Sequence, residues 1–262
     1  MAISLILATI HRTEEVGRLV QSLLVQTHRC FELIVVDQNP DERLIPYVRL
    51  ARENGLDIRH EKMDKPGLSA ARNLGIDLAK YPIVAFPDDD CWYEPTVIEG
   101  VVSAFKLHDA PGGVIARWVE QAGMAFADSY PLDINAWRNF RGGHASSITL
   151  FINRALFQTL GGFDDRFGVG KWYGAAEETD FILRALMSGA RLQYCPQVKV
   201  HHAYSQHPHG TIATLCRQAR QRSRGTGAIY AKHKISIYVI LRGVITPLIV
   251  LPPQCMKPAV VA

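Results

Sequence analysis

Apolar positions along the first hundred residues alternate between two periods. Residues 3–8 form a short continuous apolar run, the mark of a strand covered on both faces. Thr13 then stands where it can cap a helix, one face of which is set by Val16, Leu19, Val20, Leu23 and Leu24 at the 3.6-residue period. Residues 31–36 are a second buried run that closes on Asp37. Residues 44–53 read as a helix and 57–61 as a strand. Lys65-Pro66-Gly67 turns the chain into an Ala/Leu-rich helix from Ser69 to about Lys80. A further run at 83–86 ends at Pro87-Asp88-Asp89-Asp90, and Val97, Ile98, Val101, Val102 and Phe105 mark another amphipathic helix. Strands and helices alternating through short connections predict an α/β fold with a mostly parallel central sheet flanked by helices. Ligands bind such sheets outside the carboxyl ends of the strands. Asp37 and Asp88–Asp90 both fall there.

From residue 113 the periods mix. Residues 144–152 read as a strand and 161–174 as a loop rich in glycine and aromatics. Glu177-Glu178-Thr179-Asp180 opens a helix that runs to about Ser188. Short strands are expected at 192–195 and 198–202, a basic helix at 211–233, and residues 235–253 are strongly apolar. The expected organisation is one domain over 1–210 with a basic and apolar C-terminal appendage over 211–262.

Composition narrows the class. With 262 residues, 48% hydrophobic and 21% charged, the chain can bury a large core and is not a disordered tail. Its five cysteines are scattered with no Cys-x-x-Cys pair, which excludes a disulfide scaffold and a structural zinc site and points to a reducing compartment. The N-terminal apolar run follows no basic stretch and no small-residue cleavage pattern, so it reads as a first strand and not as a signal peptide. The net charge of +4 hides an asymmetry: residues 181–262 hold 11 Lys and Arg and no acidic residue. That third of the chain is built to face something anionic.

The candidate chemistry is acidic. Asp88 and Asp90 lie roughly 6–7 Å apart if extended, and can serve one metal and one ribose hydroxyl. Hard divalent cations take oxygen ligands, and magnesium binds phosphates with only one or two carboxylates. His201-His202, at the end of an expected strand, offers an imidazole to complete such a site. Glu177-Glu178 puts a carboxylate at a helix start, where it stabilises the helix or serves as a general base. Residues 66–73 run from a glycine turn into a helix whose N–H groups, with Arg72, suit an anion. Neither Gly-x-Gly-x-x-Gly nor a P-loop is present.

Taken in order, Ser4–Thr9, Val35-Val36-Asp37, Gly67-Leu68-Ser69-Ala70-Ala71-Arg72-Asn73, Phe86-Pro87-Asp88-Asp89-Asp90, Gly161-Gly162-Phe163-Asp164 and Glu177-Glu178-Thr179-Asp180 with Arg184 resemble the family 2 glycosyltransferases of the GT-A fold. The resemblance covers about residues 3–203. It implies a GT-A-like nucleotide-binding fold in which Thr9 and Asp37 hold the nucleoside and Arg72 and Asn73 support the nucleotide. Asp88 and Asp90 match the acids of the family's Asp-x-Asp motif, with Asp90 as metal ligand and His201, less certainly His202, completing the site for Mn²⁺ or Mg²⁺. Glu178, beside Glu177, is the implied base. Gly162, Trp172 and Tyr173 are candidates to shape the acceptor site. The family usually carries Glu-Asp where this chain has Glu177-Glu178. The Gln-x-x-Arg-Trp motif of processive synthases is missing, which argues for single additions.

The implied partners are a nucleotide-sugar donor, UDP by default, and a glycan or lipid-linked acceptor. Basic Arg217, Arg220, Arg222, Arg224, Lys232 and Lys234 precede the apolar run, which Arg242, Gly243 and Pro247 interrupt. This favours interfacial attachment to an anionic membrane surface over a full span, with a buried helix as the other reading. The expected place is cytoplasmic, peripheral on the inner face of the membrane, with no nucleic-acid partner. The competing classes are a sugar nucleotidyltransferase, whose glycine-rich basic N-terminal loop is not seen, and a basic binding module without catalysis, which leaves the acidic cluster unexplained.

Overall fold

A computed structural model describes residues 1–107, 111–120, 128–142, 145–203 and 211–249. The first half follows the predicted alternation: β1 (Ile3–Thr9), α1 (Glu14–Leu24), β2 (Phe31–Asp37), α2 (Ile45–Glu53), β3 (Asp57–Lys62), α3 (Leu68–Leu78) and β4 (Ile83–Ala85). β1 pairs in parallel with β2 and β4, and β2 with β3. All of β2 is buried, as a strand covered on both faces should be. Side-chain alternation splits β1 between two cores. Ile3, Leu5 and Leu7 join the core under α1, α2 and α4 (Val97–Leu107), while Ile6 joins the opposite core with Ile76 of α3.

The second half is irregular. After β4 the chain forms β5 (Cys91–Tyr93), then α4, β6 (Gly113–Trp118), β7 (Tyr130–Pro131) and α5 (Ile134–Arg138). A 3-10 turn at Ser147–Thr149 leads into β8 (Leu150–Asn153), α6 (Arg154–Leu160) and α7 (Glu177–Met187). β9 (Leu192–His202), α8 (Ile212–Lys232) and α9 (Ile237–Ile249) follow. The strands line up as β3-β2-β1-β4-β8-β6-β9-β5, with β7 against β9.

The expected central sheet is parallel through its first half and mixed in its second. The β4–β8, β6–β8, β5–β9 and β7–β9 pairs are antiparallel, and β6–β9 is parallel. The strand expected over 144–152 is shorter, because residues 147–149 take the 3-10 turn; residue 144 lies outside the described residues. The two short strands expected near 192–202 are one. Pro196 cannot donate to the ladder, and the chain absorbs it in a bulge, where pairing with β6 jumps from Cys195 to Lys199.

α8 is largely exposed, burying Gly225 and Ile229. α9 turns Val239 inward and leaves Ile237, Tyr238, Leu241, Val244 and Ile245 exposed. Among the described residues no helix is long and apolar enough to cross a membrane. Residues 250–253 of the apolar run lie outside them.

Candidate active site

The carboxyl ends of β1, β2 and β4 open onto a cavity of about 610 Å³, lined in part by Arg12, Gln38, Asp88, Asp89, Asp90 and His202. Each aspartate of the cluster has a different partner. Asp88 accepts from Arg72 Nη2 at 2.8 Å, Asp89 from the Thr9 hydroxyl at 2.8 Å, and Asp90 Oδ1 lies 2.9 Å from His202 Nε2. Arg12 stands 3.7 Å from both Asp89 and Asp90. Burial, with the charges of Asp88 and Asp90 adding, pushes Asp89 up to about 6 despite the bond from Thr9. For Asp90, burial alone would raise the carboxyl, but the His202 bond and charge outweigh it and the net shift is downward. His202 moves the opposite way: burial disfavours its cation, and Asp90 more than restores it.

Register decides which histidine meets the aspartate. β5 and β9 pair antiparallel with Cys91 opposite His202, so the residue before Cys91 lies beside His202. Successive side chains of a strand point to opposite faces. His201 therefore faces away: its ring meets Glu120 at 2.6 Å and Glu94 at 3.2 Å and stacks on Trp92. Of the two candidate histidines, the structure therefore sets His202, and not His201, beside Asp90.

Among the described residues, ligand atoms of Asp90, Cys91 and His202 lie within 4.8 Å of one another. Cys91 is sealed in the core, where burial pushes its thiol far up and keeps it protonated. The usable set is a carboxylate oxygen and an imidazole beside two further acids. That set fits a divalent cation of the manganese or magnesium type.

Across the cavity, Arg72 ties the cluster to α7. Its guanidinium is buried and bonds Asp88 with one nitrogen and Glu177 Oε1 with the other, at 2.9 Å. Burial opposes that charge, and Asp88, Glu177 and Glu178 more than compensate it. Glu177 is thereby a structural partner. Glu178 is different: its Oε2 is buried without a hydrogen-bond partner. Burial, then the charge of Glu177, pushes its carboxyl up to about 8. A carboxylate held back from ionising and lacking a partner has the proton affinity a general base needs.

Other predicted residues do not line this cavity. Asp37 is fully buried; its Oδ1 accepts from the Asn39 backbone at 2.8 Å, and its Oδ2 lies 2.9 Å from His60 Nε2 and 3.2 Å from Lys62 Nζ. It braces the edge of the site, where Gln38 lines the cavity. Asn73 exchanges hydrogen bonds with the Phe163 backbone and so holds the Gly162 turn. Gly162 has φ +75° and no room beside it, since a Cβ would come 2.7 Å from Asn73 Oδ1. Trp172 is exposed with the Arg224 guanidinium 3.8 Å from its ring centroid, and Tyr173 packs on Phe167. Sequence reasoning missed Arg12, Gln38 and Arg222 as cavity residues. Arg12 and Gln38 directly follow strands at the ligand-binding edge, which was the available signal. Arg222 comes from α8 and had none.

Residues 4–156 match the family model described as glycosyl transferase family 2. The chain is 28% identical over 220 residues to a glucosyl-dolichyl phosphate glucuronosyltransferase of Haloferax volcanii, covering 77% of this chain and 69% of that protein. It is 36% identical over 112 residues to a hyaluronan synthase of Pasteurella multocida, covering 42% of this chain and 11% of that protein. The structure of S. aureus TarS 1–349 in complex with UDP-GlcNAc superposes with a TM-score of 0.65 at 18% identity, covering 80% of this chain and 60% of that one. For the longer TarS chain the TM-score is 0.64, and this protein spans 37% of its length. At that identity the likeness is one of fold.

Fold, site and relatives together define a glycosyltransferase enzyme with a GT-A-like architecture. The chain belongs to glycosyl transferase family 2.

Proposed function

We propose that the protein moves one sugar at a time from a UDP-sugar to a hydroxyl of a glycan or lipid-linked acceptor, with inversion at the anomeric carbon. The observation that carries this reading is Arg72: one buried cation joins the aspartate cluster to the carboxylate pair that includes Glu178. A donor-side and an acceptor-side acid group are thereby joined through one buried guanidinium. The relatives support it: TarS structures hold UDP and UDP-GlcNAc, and the Haloferax protein is named for an acceptor carried on dolichyl phosphate.

Asp90 and His202 would hold a divalent cation, Mn²⁺ or Mg²⁺, which when bound offsets the diphosphate charge and stabilises the leaving nucleoside diphosphate. Arg12 adds a second positive charge at the same wall. Glu178 takes the proton of the acceptor hydroxyl as that oxygen attacks the anomeric carbon. The bond from that carbon to the β-phosphate oxygen breaks, and its electron pair leaves with UDP. A single displacement inverts the centre. Trp172 and Tyr173 offer stacking faces for an acceptor sugar. The basic residues of α8 and the exposed apolar face of α9 support peripheral seating on an anionic bilayer, where each basic residue near the surface contributes about 1 kcal/mol.

Calorimetric titration with UDP, with and without Mn²⁺, tests the reading. Manganese-dependent binding is expected in the wild type and in His201→Ala, and is expected to be lost in Asp90→Ala and His202→Ala. No binding of UDP, GDP, dTDP or CDP under these conditions would overturn the donor assignment.

A further inference from the structure

A second cavity, about 540 Å³, lies between α8 and α9, lined by Arg222, Thr226, Gly227, Tyr230, Ile240 and Val244 among others. Its volume falls within the roughly 300–1,000 Å³ of ordinary ligand pockets, which are mostly apolar with a few placed polar groups. Arg222 lines both this groove and the catalytic cavity, so the two share a wall. Among the described residues the Arg222 guanidinium has no carboxylate partner, and no acidic residue occurs after position 180.

The groove is fixed to the catalytic machinery. Gly225 of α8 lies so close to the segment before α7 that a Cβ would come 2.4 Å from the Ala175 carbonyl oxygen. Arg224 stacks on Trp172 in the same approach. On the other side of the groove, α9 exposes Ile237, Tyr238, Leu241, Val244 and Ile245, spaced as one face of a helix. The groove therefore reaches from the apolar face of α9 to Arg222, which also lines the catalytic cavity.

We propose that this groove binds the apolar tail of a lipid-phosphate acceptor, with the phosphate on Arg222 and the sugar beyond it in the catalytic cavity. The proposal rests on the transferase reading of that cavity. The shared residue selects a substrate over a bilayer phospholipid, because a headgroup held on Arg222 lies at the entrance to the site. A phosphate also suits a guanidinium that meets no carboxylate among the described residues, because it binds through paired hydrogen bonds.

Gly227 provides the test. A Cβ there meets nothing within 4 Å, so Gly227→Leu places its side chain in the groove without a clash and in a helix that favours leucine. The full chain is titrated with farnesyl phosphate, farnesol, inorganic phosphate and phosphatidylglycerol vesicles, and separately with UDP and Mn²⁺. Saturable binding of farnesyl phosphate is expected, with farnesol and inorganic phosphate each at least ~10-fold weaker. Gly227→Leu is expected to weaken farnesyl phosphate ~10-fold and to leave UDP binding unchanged. Equal farnesyl phosphate affinity in the variant overturns the proposal. So does vesicle binding with no saturable farnesyl phosphate site, which assigns the surface to the bilayer instead. Absence of UDP binding with farnesyl phosphate still held in the groove strikes the transferase reading and leaves the lipid-phosphate site standing.

Discussion

Asp37 and Glu178 are both carboxylates held away from solvent at one edge of the sheet, and their surroundings drive them in opposite directions. At the end of β2, burial would raise Asp37, but the Asn39 backbone, His60, the Asn39 side chain and Lys62 outweigh it and hold the carboxyl below its usual range. At the start of α7, burial acts on Glu178 with Glu177's charge beside it, and one oxygen has no partner at all. Burial therefore does not distinguish a structural acid from a reactive one. The count of donors does: a carboxylate with every lone pair engaged is a brace, and one left short retains affinity for a proton.

The sharpest way to break the contrast is kinetic. Glu178→Gln should lower turnover about 10²- to 10⁴-fold, the usual contribution of a positioned base, while UDP affinity is retained. In the wild type, kcat/KM should climb with pH through about 8, the range in which Glu178 loses its proton. A rate that stays flat from mildly acidic to alkaline pH would remove Glu178 from the role.

Next in size is the bridge between the two acid groups. Arg72→Met leaves Glu177 buried without its cation and should cost about 3–5 kcal/mol of folding stability, as breaking a buried pair does. Urea denaturation measures it. A loss within the scatter of surface substitutions would mean that Asp88 and Glu177 find other partners.

The smallest effect compares the two carboxylates directly by thermal unfolding. Asp37 has a folded-state pKa below its unfolded one, so its stabilisation is present above the unfolded value near 4 and is lost as pH falls through the folded value. Asp37→Asn should therefore cost about 1.5–3 kcal/mol at neutral pH, the range for hydrogen bonds to a charged group, and progressively less in acid. Glu178 has the opposite sign: its folded-state pKa lies above the unfolded one, so its ionisation opposes folding at neutral pH. Glu178→Gln should raise Tm there. If both substitutions move Tm the same way, the distinction between brace and base fails.

Much of the parallel half was legible because its signals are local. Continuous apolar runs, a 3.6-residue stripe and acids placed straight after strands needed no knowledge of the far end of the chain. The mixed half was less so. β5 is three residues long, too short to show a period, and β9 carries a proline that reads as a break. The choice between His201 and His202 lies in the pairing of β5 with β9 and in nothing local to either residue. Glu178 was placed by resemblance, but its orphaned oxygen depends on how α7 packs. Arg222 reaches the cavity only because α8 docks against Ala175, a tertiary fact hidden inside a helix that reads simply as basic.

The Arg72 bridge also says where the protein can be divided. The family match ends at residue 156, yet one of the two carboxylates hydrogen-bonded to Arg72 arrives at residue 177, and the strand that fills the place beside β6 closes at His202. A chain cut at the end of the match would keep the cation with Asp88 and discard Glu177 and Glu178. The stretch from β1 to β9 therefore has to travel as a single inheritable block, and α8, which packs Gly225 against Ala175 and brings Lys232 onto Asp180, travels with it.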